Sequence, residues 1–333
     1  MGNIAIHGFG RIGRTATRAA LLKNMFVPFS ISDIKDSKAL ASLFAYDTNY
    51  GKYPGHVTAQ SDRFIIDNNE IAYLNSKDAL PDWGALGVDV VIDCTARATT
   101  RSGAQAHLDR GAKKVLVSAP SKSMEDCDAI LLPGINLEDY NPSQHHIISM
   151  GSCTTNALAP VVKIIGEKLG IKSGFFSTVH AYTNSQSLTD QPMNAMRDSW
   201  AAAENIIPSS SGAAKALKFI WPELNITGKA YRVPVRTGSI VEVNVQVEKS
   251  TSREEVNEMF RTAASSDHLR GILSVLEDEF SSARIVGEHH SSIIDLPLTQ
   301  VLDGNLLSVA AWYDNEMGYA TRLVEAALYF SRQ

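Results

Sequence analysis

The chain has 333 residues, enough for about two domains, with 44% hydrophobic and 20% charged residues, the balance of a globular protein with sizeable cores. A net charge of −5 excludes a globally basic nucleic-acid-binding protein, and no apolar run approaches the roughly 18 residues of a membrane span. Three scattered cysteines, Cys94, Cys127 and Cys153, exclude a disulfide framework and offer no metal-type pair spacing, so no metal site is expected.

The first apolar segment, Ile4–Ile6, runs straight into glycines rather than a leader pattern, which predicts a protein of the reducing cytoplasm. From there, short apolar runs at residues 3–7, 27–32, 88–94, 115–118 and 146–149 read as strands buried on both faces. Stretches at residues 12–22 and 101–111 read as helices between them. This alternation predicts an α/β, Rossmann-type doubly wound parallel sheet. The pattern then changes. Val241, Val243, Val245 and Val247 alternate with Glu242, Asn244, Gln246 and Glu248, a strand with one buried face. Ser252-x-x-Glu255 is a capping box ahead of Val256, Met259, Phe260 and Ala263 at helical spacing. Further strands at 291–295 and 306–312 and a last helix to Phe330 complete an α+β domain with a largely antiparallel sheet. The expected division is 1–152, rejoined by the final helix at 316–333, and 153–315.

Two motifs carry chemistry. Gly8-Phe9-Gly10-Arg11-Ile12-Gly13 is G-x-G-x-x-G directly after the first strand and opening a helix. The glycines permit a tight turn and let a pyrophosphate approach the backbone, and the helix start offers N–H groups and a positive dipole end. Asp33, twenty residues beyond Gly13 at the end of the second strand, is placed to accept ribose hydroxyls and would repel a 2′-phosphate, so NAD is favoured over NADP. Second, Ser152-Cys153-Thr154-Thr155-Asn156 joins a strand to a helix whose apolar residues are Leu158, Val161, Val162 and Ile165. Cys153 at that helix start is expected to favour thiolate, the form that attacks a carbonyl carbon; a small buried core residue is the alternative. A histidine beside it would form an ion pair and act as base. His180 ends another strand, but with nine histidines in the chain spacing alone does not select it.

These segments, with Thr183-Asn184, Asn205–Pro208, Gly212–Ala216, Arg232-Val233-Pro234 and Trp312-Tyr313-Asp314-Asn315-Glu316, resemble the phosphorylating glyceraldehyde-3-phosphate dehydrogenase family from end to end and in order. The resemblance implies NAD-dependent oxidation of D-glyceraldehyde 3-phosphate to 1,3-bisphosphoglycerate with inorganic phosphate. Cys153 would carry the hemithioacetal and thioester, with His180 as base. Thr183 and Arg232 would hold the substrate phosphate, and Ser152, Thr154, Ser211 and Gly212 the inorganic one. Asn315 would fix the nicotinamide, with Thr95, Ser118 and Tyr319 also lining the cofactor site. The resemblance further implies a homotetramer in which a loop at 185–203 crosses the interface. Erythrose-4-phosphate dehydrogenase is the related alternative, and a non-catalytic NAD-sensing paralogue a third reading.

The chain departs from the family pattern in places. Ser185 replaces a usual Asp, Arg197-Asp198-Ser199-Trp200 replaces a basic run, and Arg236 adds a cation near Arg232, which suggests that Arg236 compensates for the lost loop charge. His7, Ala96, Ala98 and Met150-Gly151 replace other usual residues near the cofactor.

Overall fold

The computed structural model describes residues 2–333. The chain divides into two compact units. One runs to Gly151 and takes back Ala320–Gln333; the other is Ser152–Tyr319.

In the first unit the order is β1 (Ile4–His7), α1 (Arg11–Leu22), β2 (Ser30–Asp33), α2 (Ser37–Ala45), the short pair β3 (Tyr46–Asp47) and β4 (Gly51–Lys52), then β5 (Val57–Ala59), β6 (Arg63–Ile66), β7 (Asn69–Asn75) and α3 (Trp83–Leu86). It continues with β8 (Val90–Asp93), α4 (Arg101–Asp109), β9 (Lys114–Val117), β10 (Ala129–Ile130) and β11 (Ile147–Ser149). One sheet runs β10-β11-β9-β8-β1-β2-β7-β6-β5. Its pairs are parallel from β10 to β7 and antiparallel from β7 to β5. The chain moves from β1 to β2 on one side and returns to β8 on the other. The order therefore reverses between β1 and β8, and such a switch point opens a crevice at the strands' carboxyl ends.

Burial accounts for the apolar runs. Every residue of β1 and β8 is buried, as expected of parallel strands covered on both faces. The second strand starts at Ser30, later than the apolar run suggested, because Pro28 has no N–H for the ladder; Val27 is accordingly exposed. The helix read as 101–111 stops at Asp109, because Gly111 takes φ +89° and reverses the chain.

The second unit contains α5 (Cys153–Leu169), β12 (Ile171–Ala181), β13 (Ile207–Ser210), α6 (Ala213–Ile220), β14 (Ile226–Val233), β15 (Ser239–Val247), α7 (Arg253–Ala264), β16 (Leu273–Leu276), β17 (Ser292–Asp295), β18 (Gln300–Leu302) and β19 (Leu306–Tyr313), and α8 (Met317–Phe330) starts in it. Its sheet runs β13-β14-β12-β15-β19-β17-β16, with β18 on β19. All pairs are antiparallel except β12–β14 and β16–β17. The four alternating valines of β15 are fully buried, and α5 packs against β12, β15, β17 and β19. The opposite face leaves Phe175, Val179 and Leu306 exposed. The predicted capping box forms: Ser252 Oγ accepts from Glu255 N–H at 3.2 Å and Glu255 Oε2 from Ser252 N–H at 2.8 Å.

The turn after β1 tolerates no side chain at its third glycine. A Cβ on Gly13 would lie 2.1 Å from the Gly8 carbonyl oxygen, so α1 would have to shift away. Gly13→Ala is expected to destabilise the protein by about 1–3 kcal/mol, the usual cost of overpacking, read as a lower midpoint in thermal or urea unfolding.

Candidate active site

The nucleophile candidate is set by a helix start. Ser152 caps α5: its Oγ accepts from Thr155 N–H at 3.1 Å, and Thr155 Oγ1 accepts from Ser152 N–H at 3.1 Å. Cys153 is therefore the first residue of a 17-residue helix, at the end whose peptide dipoles favour an anion. The strand alternation of β12 buries Phe176, Thr178 and His180 on one face and exposes Phe175 and Val179 on the other. His180 lies on the buried face, and Cys153 Sγ is 3.3 Å from its Nε2. Tyr313, the last residue of β19, ties the two elements together. Its hydroxyl bonds Thr154 Oγ1 at 3.0 Å on the helix and Thr178 Oγ1 at 2.8 Å on the strand. Burial pushes the Tyr313 hydroxyl well above its usual pKa, so it stays protonated.

Arg232 completes the charge balance. It stands opposite His180 in the β12–β14 register, with Nη1 2.6 Å from His180 Nδ1 and 3.3 Å from the Ala181 carbonyl. Nδ1 is also 2.7 Å from that carbonyl. A guanidinium only donates and a carbonyl only accepts, so Nδ1 serves one of them at a time. Accepting from Arg232 leaves the proton on Nε2, facing sulfur. Donating to Ala181 leaves the Nε2 lone pair facing sulfur. Burial pushes the Cys153 thiol up, with the Arg232 cation and bonds at the helix start acting in the other direction. Burial first, and then Arg232, lowers His180 to about 3. The dipole that suggested a resting thiolate is thus opposed by desolvation, which disfavours either charge formed alone.

The remaining expected residues fall into several settings. Arg232 Nε is buried without a hydrogen-bond partner, a donor still to be satisfied. Thr183 Oγ1 bonds Gln186 Oε1 at 3.1 Å and Ser185 Oγ at 2.9 Å. Gln186 also holds Asp198, at 3.2 Å. Ser211 Oγ accepts from Ala213 N–H at 3.3 Å where α6 begins, and a Cβ on Gly212 would meet nothing within 4 Å. The hydroxyls of Ser152 and Thr154 already serve the cap and Tyr313. Arg236 is exposed. Asn315 Oδ1 accepts from Gly238 N–H at 3.2 Å, Ser239 Oγ at 2.9 Å and Thr237 Oγ1 at 3.4 Å, which fixes the oxygen side of the amide. Tyr319 is buried.

In the first unit, the turn after β1 fits a dinucleotide. Gly8 takes φ +88°, a Cβ on Gly10 would meet nothing within 4 Å, and no side chain caps α1. The backbone at Arg11, Ile12 and Gly13 is therefore approachable by an anion. The Arg11 guanidinium is engaged with Asp47 at 2.5 Å. Asp33 accepts from Phe9 N–H at 2.6 Å and Lys35 N–H at 3.0 Å at the end of β2. Thr95 and Ser118 follow the ends of β8 and β9, Ser118 N–H donating to the Asp93 carbonyl at 3.0 Å.

The model of the glyceraldehyde 3-phosphate dehydrogenase NAD binding domain matches residues 2–101, and that of the C-terminal domain matches residues 152–315. The chain belongs to the glyceraldehyde-3-phosphate dehydrogenase family. It is 42% identical to glyceraldehyde-3-phosphate dehydrogenase 1 of Bacillus cereus, over 99% of each chain. It is 44% identical to the glyceraldehyde-3-phosphate dehydrogenase of Kitasatospora aureofaciens and 41% identical to that of Geobacillus stearothermophilus, over 98% of each chain in both cases.

Tyr313 lies within the Trp312–Glu316 motif, which does not by itself give it a part in the site. The period-2 burial of Leu307, Val309, Ala311 and Tyr313 along β19 could have placed it toward α5. The pairing of Arg232 with His180 had no local signal, since it depends on strand register.

Arg232→Gln removes the cation that favours the Cys153 thiolate. The thiol should then ionise at higher pH, so the pH profile of iodoacetamide modification at Cys153 should move to the alkaline side. An unmoved profile would show that Arg232 does not tune the thiol.

Proposed function

We propose that the protein catalyses NAD-dependent, phosphorylating oxidation of D-glyceraldehyde 3-phosphate to 1,3-bisphosphoglycerate, an oxidoreductase reaction on an aldehyde. The observation that carries this reading is Cys153 Sγ at a helix start, 3.3 Å from His180 Nε2. The family membership supports it, and the names of the relatives do not favour the erythrose 4-phosphate alternative.

In the proposed sequence, His180 Nε2 takes the Cys153 proton as sulfur adds to the aldehyde carbon, and returns it to the carbonyl oxygen to give a hemithioacetal. His180 then removes that hydroxyl proton as the carbon is oxidised to a thioester. The dinucleotide, when bound, supplies the hydride acceptor. Attack by a phosphate oxygen on the thioester carbonyl breaks the C–S bond and returns the thiolate. His180 can accept a proton only with its Nε2 lone pair toward the site, the arrangement in which Nδ1–H donates to Ala181.

Arg232 and Thr183 would hold the substrate phosphate, for which the unsatisfied Arg232 Nε is the support. Ser152, Thr154, Ser211 and Gly212 would frame the inorganic phosphate. At Thr154 the backbone N–H would be the donor, since its hydroxyl is engaged with Tyr313, whereas at Ser152 the N–H is spent on the cap and the hydroxyl proton would serve. Gly8, Gly10, Arg11, Ile12, Gly13, Asp33, Thr95 and Ser118 would line the dinucleotide site, and Tyr319 with it. The fixed amide of Asn315 would donate from Nδ2 to the nicotinamide carboxamide. In this reading residues 1–152 with 316–333 form the NAD-binding domain and 153–315 the catalytic domain.

We further propose a cytoplasmic homotetramer. Phe175, Val179, Leu302 and Leu306 stand exposed on the catalytic sheet's outer face, an apolar surface suited to a second copy. No helix among the described residues is long and apolar enough to cross a membrane.

The test is NADH formation from glyceraldehyde 3-phosphate with NAD or NADP, with and without phosphate. Turnover should require phosphate and prefer NAD, and Cys153→Ser should lower it by about 1,000-fold or more. Phosphate-independent turnover would mean that water, rather than phosphate, releases the thioester. Preferred turnover of erythrose 4-phosphate would replace the substrate.

A further inference from the structure

Beneath the crevice between β1 and β8 lies a buried polar cluster that the proposed chemistry does not use. His7 and Asp93, the last residues of β1 and β8, stand opposite each other in the ladder, and His107 comes from α4. All three are buried, and their potential ligand atoms lie within 4.8 Å of one another. The trio has the composition of a metal site, but its hydrogen bonding runs the other way. Trp83 Nε1–H, which can only donate, bonds His107 Nδ1 at 3.1 Å. His107 therefore carries its proton on Nε2, 3.2 Å from Asp93 Oδ2, where a metal would need a lone pair. The cluster is a directed relay of donors that ends on a carboxylate.

Asp93 passes this order on to the turn after β8. Its Oδ1 accepts from Thr95 N–H at 3.0 Å and from Thr95 Oγ1 at 2.9 Å. Thr95 Oγ1 in turn accepts from Arg97 N–H at 3.1 Å. The Thr95 methyl packs against the turn after β1, 2.7 Å from where a Cβ on Gly8 would stand. His7 braces the other side. Its Nδ1 is 2.5 Å from Ser32 Oγ on β2, and its ring lies edge-on to His107 at 5.0 Å and to Trp83 at 6.1 Å. Trp83 is fully buried among Ala5, Val88, Val91 and Ala112, so the first donor of the relay cannot drift.

We propose that Trp83, His107 and Asp93 are positioning residues of the dinucleotide site, holding the Thr95 turn against the Gly8 turn so that the two strand ends meet the dinucleotide in one geometry. The inference rests on the reading of this unit as an NAD-binding domain. A turn ordered in advance spares the ligand the cost of ordering it on binding. Loosening the relay should therefore weaken cofactor binding more than it slows the bound complex.

The test uses the full chain, with NAD affinity measured by isothermal titration calorimetry and the His107 tautomer by nitrogen–proton NMR. In the unaltered protein His107 should carry its proton on Nε2. Trp83→Phe keeps the buried ring and removes the donor. It should weaken NAD binding by about fivefold, the size of one hydrogen bond, with the larger kinetic change in KM for NAD rather than in kcat. Thr95→Val, at the partly exposed end of the relay, should weaken binding similarly, and Thr95→Ser should recover most of the loss. His107 protonated on Nδ1, or both Trp83→Phe and Thr95→Val binding NAD as the unaltered chain does, would overturn the relay. An unaltered chain that binds no NAD would instead overturn the domain reading beneath it.

Discussion

A sulfur 3.3 Å from an imidazole nitrogen, Cys153 Sγ against His180 Nε2, is the contact on which the rest of the catalytic unit turns. It requires a helix start and a strand's inner face to be held in register. The Ser152 cap makes Cys153 the first residue of α5, and the alternation of β12 turns His180 inward. The Tyr313 hydroxyl then bridges Thr154 on the helix and Thr178 on the strand, so a displacement of either element breaks a buried hydrogen bond. Burial on its own keeps the thiol and the imidazole neutral. Charge can develop on sulfur only where a cation or dipole opposes it, and Arg232 and the end of α5 supply both.

Arg232 has two claims on its guanidinium. Through Nη1 it reaches His180 Nδ1, and through a buried Nε with no partner it has a donor left for an anion. An anion that draws Arg232 toward it frees His180 Nδ1 to donate to the Ala181 carbonyl, which presents the Nε2 lone pair to the site. In the proposed reading, substrate phosphate and base competence would be coupled in this way through one side chain. Where the family pattern has Asp, this chain has Ser185, which carries no charge. Ser185 instead joins a hydrogen-bond network with Thr183 and Gln186, which also holds the Asp198 carboxylate.

The parts of the molecule legible in the sequence were those whose cause is local. The G-x-G-x-x-G turn, the apolar runs of β1 and β8, the alternating valines of β15 and the Ser252 capping box each announce themselves within a few residues. Cys153 at a helix start was legible for the same reason. The antiparallel strands β5 to β7 were not, being only partly apolar and partly buried, and the apolar run at 27–32 hides the start of β2, which Pro28 sets by lacking an N–H for the ladder. What remained hidden depends on register between distant segments. His180 meets Arg232 because β12 pairs with β14, and His7 meets Asp93 because β1 pairs with β8. The same limit applied to polar details: Arg11, expected at the cofactor, turns its guanidinium to Asp47, and Ser152 and Thr154 use their hydroxyls on structure.

The central claim is that Cys153 carries the acyl group between oxidation and phosphorolysis. Incubating the full chain with glyceraldehyde 3-phosphate and NAD in the absence of phosphate, quenching in acid and mapping the peptides by mass spectrometry tests it directly. A phosphoglyceroyl thioester on the Cys153 peptide, removed by adding phosphate before the quench, is the predicted result. An acyl group on Cys94 or Cys127, or NADH formed with no acylated Cys153 at any time, would contradict the account.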